Sequence, residues 1–405
     1  MKLIERPDYT KRITPFINKP IIKVLTGQRR VGKSYVMMQL MDYIRNTDVE
    51  ANIVYINMEL DEFIAIKNNI DLSNYVKSKF LKKKNNNYLF IDEVQEVESF
   101  ERSLRSLLAK NTCDIYCTGS NANMLSGELA THLSGRYIAF HIHSLSYREF
   151  LLFHQLSNSV DSVMQYLRYG GMPFLPNIGL QEELPYEYLR NVYSTILLKD
   201  VVSRENIRNV SFLENLVTYL ANNTGSLFSA SNISKYLKSQ KVDISPQLTI
   251  NYLKALSNAY FVYKVVRSEV GGLKIFEIGE KYYFEDVGLR NAIVGFNQRA
   301  DIHKLLENAV YIHLVQLDYK VFVGKIGDKE IDFVGIKDGS KLYIQVCLTL
   351  DTDNEAVVQR EFGNLLKIED NFPKYVVTLN DLSTGRNKDG ILHMNLIDFL
   401  TSDLK

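Results

Sequence analysis

Cysteine is scarce, with Cys113, Cys117 and Cys347 the only three in 405 residues. So few cannot build a disulfide framework, and their number fits a reducing cytoplasm. Cys113 and Cys117 are separated by three residues and lack a matching His/Cys cluster, so buried strand thiols are expected rather than zinc. Charge of either sign is not in excess. Lys and Arg total 48 against 47 Asp and Glu, a net of +1, so no overall basic field draws the chain to nucleic acid and any such site must be local. No apolar run reaches ~18 residues, which excludes a hydrophobic membrane span. The opening MKLIERPDYTKR lacks the apolar core and cleavage site of a secretory leader. Internal repeats and long low-complexity linkers are missing as well. The one charge run, KKKNNN at 82–87, reads as the solvated close of a helix ahead of a buried strand.

What is present is the composition of a soluble globular protein, 46% hydrophobic and 23% charged. The length suggests two or three domains of roughly 150 residues each. Near the start, the apolar run IIKVL (21–25) leads into GQRRVGKS (27–34) and then the helical YVMMQLMDYI. Strand, glycine loop and helix are the context a phosphate-binding loop requires. Gly27 and Gly32 let backbone N–H groups curl around phosphate oxygens, and the new helix adds its positive end. Gln28, Arg29, Arg30 and Val31 fill the loop, Lys33 is placed for the β and γ phosphates, Ser34 for Mg²⁺, and Tyr35 closes the stretch expected to bind ATP.

A second strand is expected in NIVYINME (52–59) and a third in YLFIDEVQ (88–95), whose end delivers Asp92 and Glu93. Sheets of alternating strand and helix build their sites at the carboxyl ends of strands. There Asp92 can hold Mg²⁺ and Glu93 can polarise an attacking water. An adjacent glutamate points to hydrolysis, since a pure sensor needs no general base. The strand DIYCTGSNA (114–122) ends in Ser120 and Asn121, either able to touch the γ-phosphate or the water if this strand lies between the first and third. Arg136, in LSGRYIAFHIHSLSYREF, precedes a fifth strand. Two roles are open to it, a finger acting on a neighbour's nucleotide or an internal salt bridge.

Taken in order, Gly27-x4-Gly-Lys-Ser, LFIDEVQ, CTGSNA, LSGRY and SLSYREF resemble the AAA-like P-loop ATPases of bacteria and archaea that carry a C-terminal domain of unknown function. The resemblance covers nearly the whole chain and is most specific in its first third. It implies a sheet in which the sensor strand sits between the strands bearing the lysine loop and the acidic pair.

Further along, YLRYGGMPF (166–174) breaks a helical region and is expected to begin a helical lid. Residues 187–209 read as helix, in which Lys199, Asp200 and Arg204 either reach the nucleotide or form surface ion pairs. Between 225 and 281 come SASNISKYL, SPQLTINYLKALSNAYFV and an alternating stretch that turns at Gly271-Gly272. Helix, helix, hairpin is the order of a winged helix. Eight basic residues against four acidic ones leave this region a local net of +4. Its second helix offers Gln247, Thr249, Asn251 and Lys254 as readers of DNA, and protein docking is the other use of such a module.

The tail runs helix, three strands, helix, strand, and resembles the core of the restriction-endonuclease-like fold. Glu307 and Asp332 match two of that fold's acidic positions, but the third strand carries Gln345-Val346-Cys347 in place of Glu-x-Lys. Glutamine brings no charge for a metal and cysteine cannot replace the lysine, so a nuclease-shaped domain without cutting activity is expected. Ordinary structural carboxylates in an unrelated α/β domain are the alternative.

The expected architecture is α/β: a P-loop ATPase domain at 1–150, a helical lid at 151–223, a winged-helix-like domain at 224–290 and a restriction-endonuclease-like domain at 291–405. The expected function is ATP hydrolysis driving a conformational switch on DNA or a protein partner, with homo-oligomers possible. An ATP-sensing DNA-binding regulator with little turnover is the alternative.

Overall fold

The computed structural model describes the chain except for residues 1–3, 82–86, 125–132, 134, 182, 240–244, 271–274, 350–361, 380–384, 387–389 and 405. It divides into two compact units. One is Met1–His143 with Asn258–Tyr260, the other Ser144–Ser257 with Phe261–Lys405.

In the first unit, helix α1 (Pro7–Ile13) precedes strand β1 (Ile22–Thr26) and helix α2 (Lys33–Thr47). There follow β2 (Asn52–Asn57), α3 (Asn69–Lys79), β3 (Asn87–Asp92), α4 (Phe100–Ala109), β4 (Asp114–Gly119) and β5 (Tyr137–His141). All the strands pair in parallel, in the order β2-β3-β4-β1-β5. A parallel sheet is covered on both faces by its crossover helices, so its strands are continuously apolar. Accordingly every residue of β1, β3 and β4 is buried. Ile22, Val24, Leu89, Ile91, Ile115 and Cys117 share one core with Leu104 and Leu107 of α4. Cys113 and Cys117 are free and buried, Cys117 within β4 as expected and Cys113 just ahead of it. The sensor strand β4 does lie between β3 and β1. Register then aligns the strand ends, Thr26 beside Gly119 and Asn57 beside Asp92, so the loops after β1, β3 and β4 leave one edge together.

The second unit opens with α5 (Tyr147–His154), started by a capping box in which Ser146 and Glu149 satisfy each other's backbone N–H. Helix α6 (Val160–Tyr169) stops at Gly170, whose φ of +74° suits glycine and where a Cβ would come 2.2 Å from Asp286 Oδ1. Helix α7 (Leu184–Thr195) continues as a π-helical stretch, Ile196–Ser203. The helix expected at 187–209 thus changes its winding and stops short. Asp200 and Arg204 do pair, at 3.5 Å, but Asp200 is buried, so the bridge is not a surface one.

Helices α8 (Val210–Asn222), α9 (Ala230–Ser239) and α10 (Pro246–Asn258) lead to β6 (Val262–Glu269) and β7 (Ile275–Phe284), with Phe228 bridging antiparallel to Glu280. The turn expected at Gly271-Gly272 lies outside the described residues. Then come α11 (Val287–Val294), α12 (Gln298–Gln316), β8 (Lys320–Ile326), β9 (Lys329–Lys337), β10 (Ser340–Cys347), α13 (Gly363–Leu366), β11 (Lys374–Thr378), β12 (Gly385–Arg386), β13 (Leu392–Asn395) and α14 (Leu396–Thr401). Most of the helix read from EAVVQREFGNLLKI also falls outside the described residues.

One finding changes the expected boundaries. The β6-β7 hairpin is not a free-standing wing: β6 pairs in parallel with β8, giving one sheet ordered β12-β13-β11-β10-β9-β8-β6-β7. The expected border at 290 therefore falls within a single sheet. Tyr283 of the hairpin shares a core with Leu305 and Leu306 of α12 and Phe333 of β9. None of the described helices is long and apolar enough to cross a membrane.

Candidate nucleotide-binding site

The loop after β1 is shaped by two glycines and one arginine. Gly27 sits at φ +142°, and a Cβ there would lie 2.1 Å from the Ile142 carbonyl oxygen, so only glycine fits. Arg30 and Gly32 also have positive φ, and Gly32 precedes the first residue of α2. Outside anchors hold this shape. Buried Arg6 donates to the carbonyls of Val31 (2.9 Å) and His143 (3.0 Å), and Arg29 pairs with Glu59 at 2.9 Å. Arg30 and Tyr35 are exposed, while Ser34, on the first turn of α2, is half-buried.

Lys33 is 4% exposed, and its ammonium donates to the carbonyls of Gly27 and Gln28, each at 3.1 Å. It also lies 3.7 Å from Glu93 Oε1. The lysine loop and the acidic strand end therefore converge. Just past β3, Glu93 turns the chain at φ +55°, a strained conformation that surroundings must enforce. Thr118, on β4, does much of this. Its hydroxyl donates to Asp92 Oδ1 (2.5 Å) and accepts from the Glu93 N–H (2.8 Å), so one side chain sets both acidic residues. Tyr55 donates to the other Asp92 oxygen at 3.2 Å. Its hydroxyl pKa is pushed up, first by burial and then by the Asp92 charge. Glu93 Oε2 accepts from Ser120 Oγ at 3.1 Å and from Gln95 Nε2.

Not every expected residue joins this group. Asn121 uses its side-chain oxygen to accept from the Asn123 N–H at 2.7 Å, closing its own loop, so Ser120 rather than Asn121 meets Glu93. Arg136 is exposed and lies at the opposite edge of the sheet. Its carbonyl accepts from the N–H of Ile22, where β1 begins, with all of β1 between it and Gly27. It makes no ion pair among the described residues, which leaves the internal salt bridge without support. Thr118, Gln95 and Arg6 were not picked out from the sequence. Thr118 lies on β4 two residues before Ser120, which follows the strand, and a polar residue at that alternation was the available signal.

Two observations bear on whether nucleotide and metal fit. The Gln28 side chain is fully buried, yet neither polar atom of its amide has a hydrogen-bond partner among the described residues, a costly arrangement that a polar ligand would relieve. Ser34 and Asp92 offer hard oxygen donors, the type that Mg²⁺ takes. His141, which pairs with Thr26 at 3.3 Å, is kept neutral, its pKa well below the usual value through burial and then the charges of His143, Lys33 and Arg12.

Residues 19–151 match the family model of an AAA domain, and residues 160–300 match a domain of unknown function (DUF8612). An uncharacterized protein of Haemophilus influenzae is 34% identical over 98% of this chain and 98% of its own length. The chain belongs to the AAA-like P-loop ATPase family. An uncharacterized protein of Methanocaldococcus jannaschii is 28% identical, with 89% of this chain and 82% of the relative covered. Among solved structures, Aeropyrum pernix ORC1 in complex with DNA aligns over 72% of this chain and 92% of its own at 10% identity, with a TM-score of 0.34. AMPPCP-bound DnaA from Aquifex aeolicus aligns over 63% and 89% at 12% identity and a TM-score of 0.33.

The second unit holds another polar centre. Lys281 of β7 is buried, with its ammonium 2.7 Å from Glu307, 2.9 Å from Glu330 and 3.9 Å from Asp332. Tyr283 donates to Glu307 at 2.5 Å, and the Val346 N–H donates to Asp332 at 2.8 Å. Burial by itself would lower the Lys281 pKa, but Glu307, Asp332 and Glu330 outweigh it and hold the ammonium above its ordinary value. Asp332 is pushed up to about 8 by burial and then by Glu307. So Glu307 and Asp332 do meet, around a lysine from the hairpin, which removes Lys281 from the basic charge expected of a DNA-binding surface.

That surface needs a second correction, since Thr249 is fully buried and bonds back to the Ser245 carbonyl. The exposed face of α10 is Gln247, Ile250, Asn251 and Lys254, and Gln247 donates to Asn251 at 3.3 Å. Lys264 is tied to Glu280 at 3.1 Å, and Lys241 and Lys274 lie outside the described residues.

Proposed function

We propose that this protein is an ATP-hydrolysing switch of the reducing cytoplasm. The observation carrying the reading is the meeting of Lys33 with Glu93, beside Asp92, at the edge where β1, β3 and β4 end. In this reading the loop N–H groups of residues 27–35 and the Lys33 ammonium receive the triphosphate. Ser34 and Asp92 hold Mg²⁺, which when bound neutralises charge growing on the phosphates. Glu93 orients a water and accepts its proton, with Ser120 and Gln95 fixing one carboxylate oxygen so that the other faces the lysine. Phosphate release from purified protein, across protein concentration and with or without DNA, tests this. Turnover that E93Q leaves untouched would end the assignment.

For the partner, the α10 face favours protein over nucleic acid. It carries one lysine beside the half-exposed Ile250, and Lys281 is consumed by carboxylates. DNA binding that falls steeply with salt, as phosphate contacts demand, would reverse this preference. The same Lys281 supports an inactive nuclease-like fold, because its ammonium takes the cationic place among Glu307, Glu330 and Asp332. Mg²⁺-dependent DNA cleavage abolished by D332A would contradict that.

A further inference from the structure

Three residues, Asn258, Ala259 and Tyr260, end α10 and lead to β6, yet they are packed with the first unit. They are held at both ends. The Asn258 carbonyl accepts from the N–H of Ala122 at 2.8 Å, in the loop that also carries Ser120 and Asn121. Ala259 is 1% exposed. The Tyr260 ring stands 4.6 Å from that of His141, and its hydroxyl hydrogen-bonds with the side chain of Thr26, the residue before Gly27. Thr26 also meets His141 Nδ1 at 3.3 Å. At Tyr260 the backbone sits at φ +54°, which a bulky residue adopts only where its surroundings compel it.

We propose that Tyr260 is a positioning residue of the nucleotide site and that, through it, the phosphate loop is coupled to α10. The inference rests on the ATPase reading above. The Thr26 carbonyl is fixed by the Ile142 N–H at 2.7 Å, so the Thr26 side chain and the turn into Gly27 are what remain adjustable. Tyr260 holds that side chain, and Asn258 holds the loop after β4. Two loops placed to respond to a triphosphate are therefore tied to one three-residue segment, and α10 continues covalently from it. Coupling of this kind is reciprocal: a partner bound on Gln247, Ile250, Asn251 and Lys254 changes ATP affinity by the factor that ATP changes the partner's.

The experiment compares wild type with Y260F, which removes the hydroxyl and keeps the ring against His141. Affinity for the Mg²⁺ complex of a non-hydrolysable ATP analogue should weaken roughly threefold to tenfold, the value of one or two hydrogen bonds. The KM for ATP should rise with kcat little changed, a split that mere loss of folded protein would not give. In wild type, hydrogen exchange of amides 247–258 should change when the analogue binds, and this response should shrink in Y260F. Y260G, which relieves the backbone and removes the ring, should stay folded, bind the analogue and lose the exchange response. Equal affinity and equal exchange response in wild type and Y260F would overturn the coupling while leaving the ATPase intact. An α10 indifferent to nucleotide in wild type, with the phosphate loop responding, would do the same. A wild type that binds no analogue removes the ATPase reading and this inference together.

Discussion

Lys33 and Lys281 are 4% and 3% exposed, and Lys33 lies beside one carboxylate, Lys281 among three. Their surroundings differ in what is left over. Lys33 is bonded to two loop carbonyls and stands 3.7 Å from one oxygen of Glu93, while the buried Gln28 amide next to it is unpartnered among the described residues. Lys281 is packed among Glu307, Glu330 and Asp332, with Tyr283 closing on Glu307. One centre keeps bonding capacity and faces a strand-edge loop. The other spends its charge internally. A lysine among acids is therefore not in itself a catalytic signature; what decides is whether the charges are already satisfied.

Substitutions should separate the two centres. A large effect is expected at Glu93, where E93Q should lower ATP turnover by roughly a hundredfold or more, as loss of a general base does, with little change in unfolding free energy. Stability answers instead at the second centre. K281M leaves three carboxylates without their cation and should cost about 3–5 kcal/mol in denaturant unfolding. K33M should abolish turnover and shift stability by no more than about 1 kcal/mol. If K281M proved neutral and K33M unfolded the protein, the contrast would be inverted. Next is Thr118: T118V should slow turnover roughly tenfold, and T118S, which keeps the hydroxyl, should restore most of it.

The smallest expected effect is a slope. Asp332 titrates higher in the folded chain than in the unfolded one, so the stability it contributes is complete below about pH 4 and is lost as pH rises through about 8. Unfolding free energy followed from pH 4 to 8 should fall less steeply in D332N than in wild type. Identical slopes would mean that Asp332 is not the proton-binding group.

The first unit was largely legible because its chemistry lies in contiguous stretches. Gly27 to Ser34 and the Asp92-Glu93 pair each bring their own strand end, and parallel pairing then sets them side by side. Thr118 escaped notice because its partners come from another strand, and pairing across strands is not written in either segment. The same limit explains Lys281. By spacing alone it belonged to a basic hairpin, and only the pairing of β6 with β8 carries it to Glu307 and Asp332. Thr249 was misplaced for a simpler reason. On a helix, a polar residue one position from Ile250 and two from Asn251 can occupy either face, and here it turns inward.

The placement of Arg136 has an architectural corollary. Because β5 starts level with Ile22, a guanidinium there can serve a triphosphate only in another copy of the chain. Such service joins unlike surfaces, the amino edge of one sheet to the carboxyl edge of the next. A head-to-tail contact of that sort closes into a ring or propagates as a filament, and a two-fold dimer meets the same need only if its sheets run antiparallel, each amino edge set against the other's carboxyl edge.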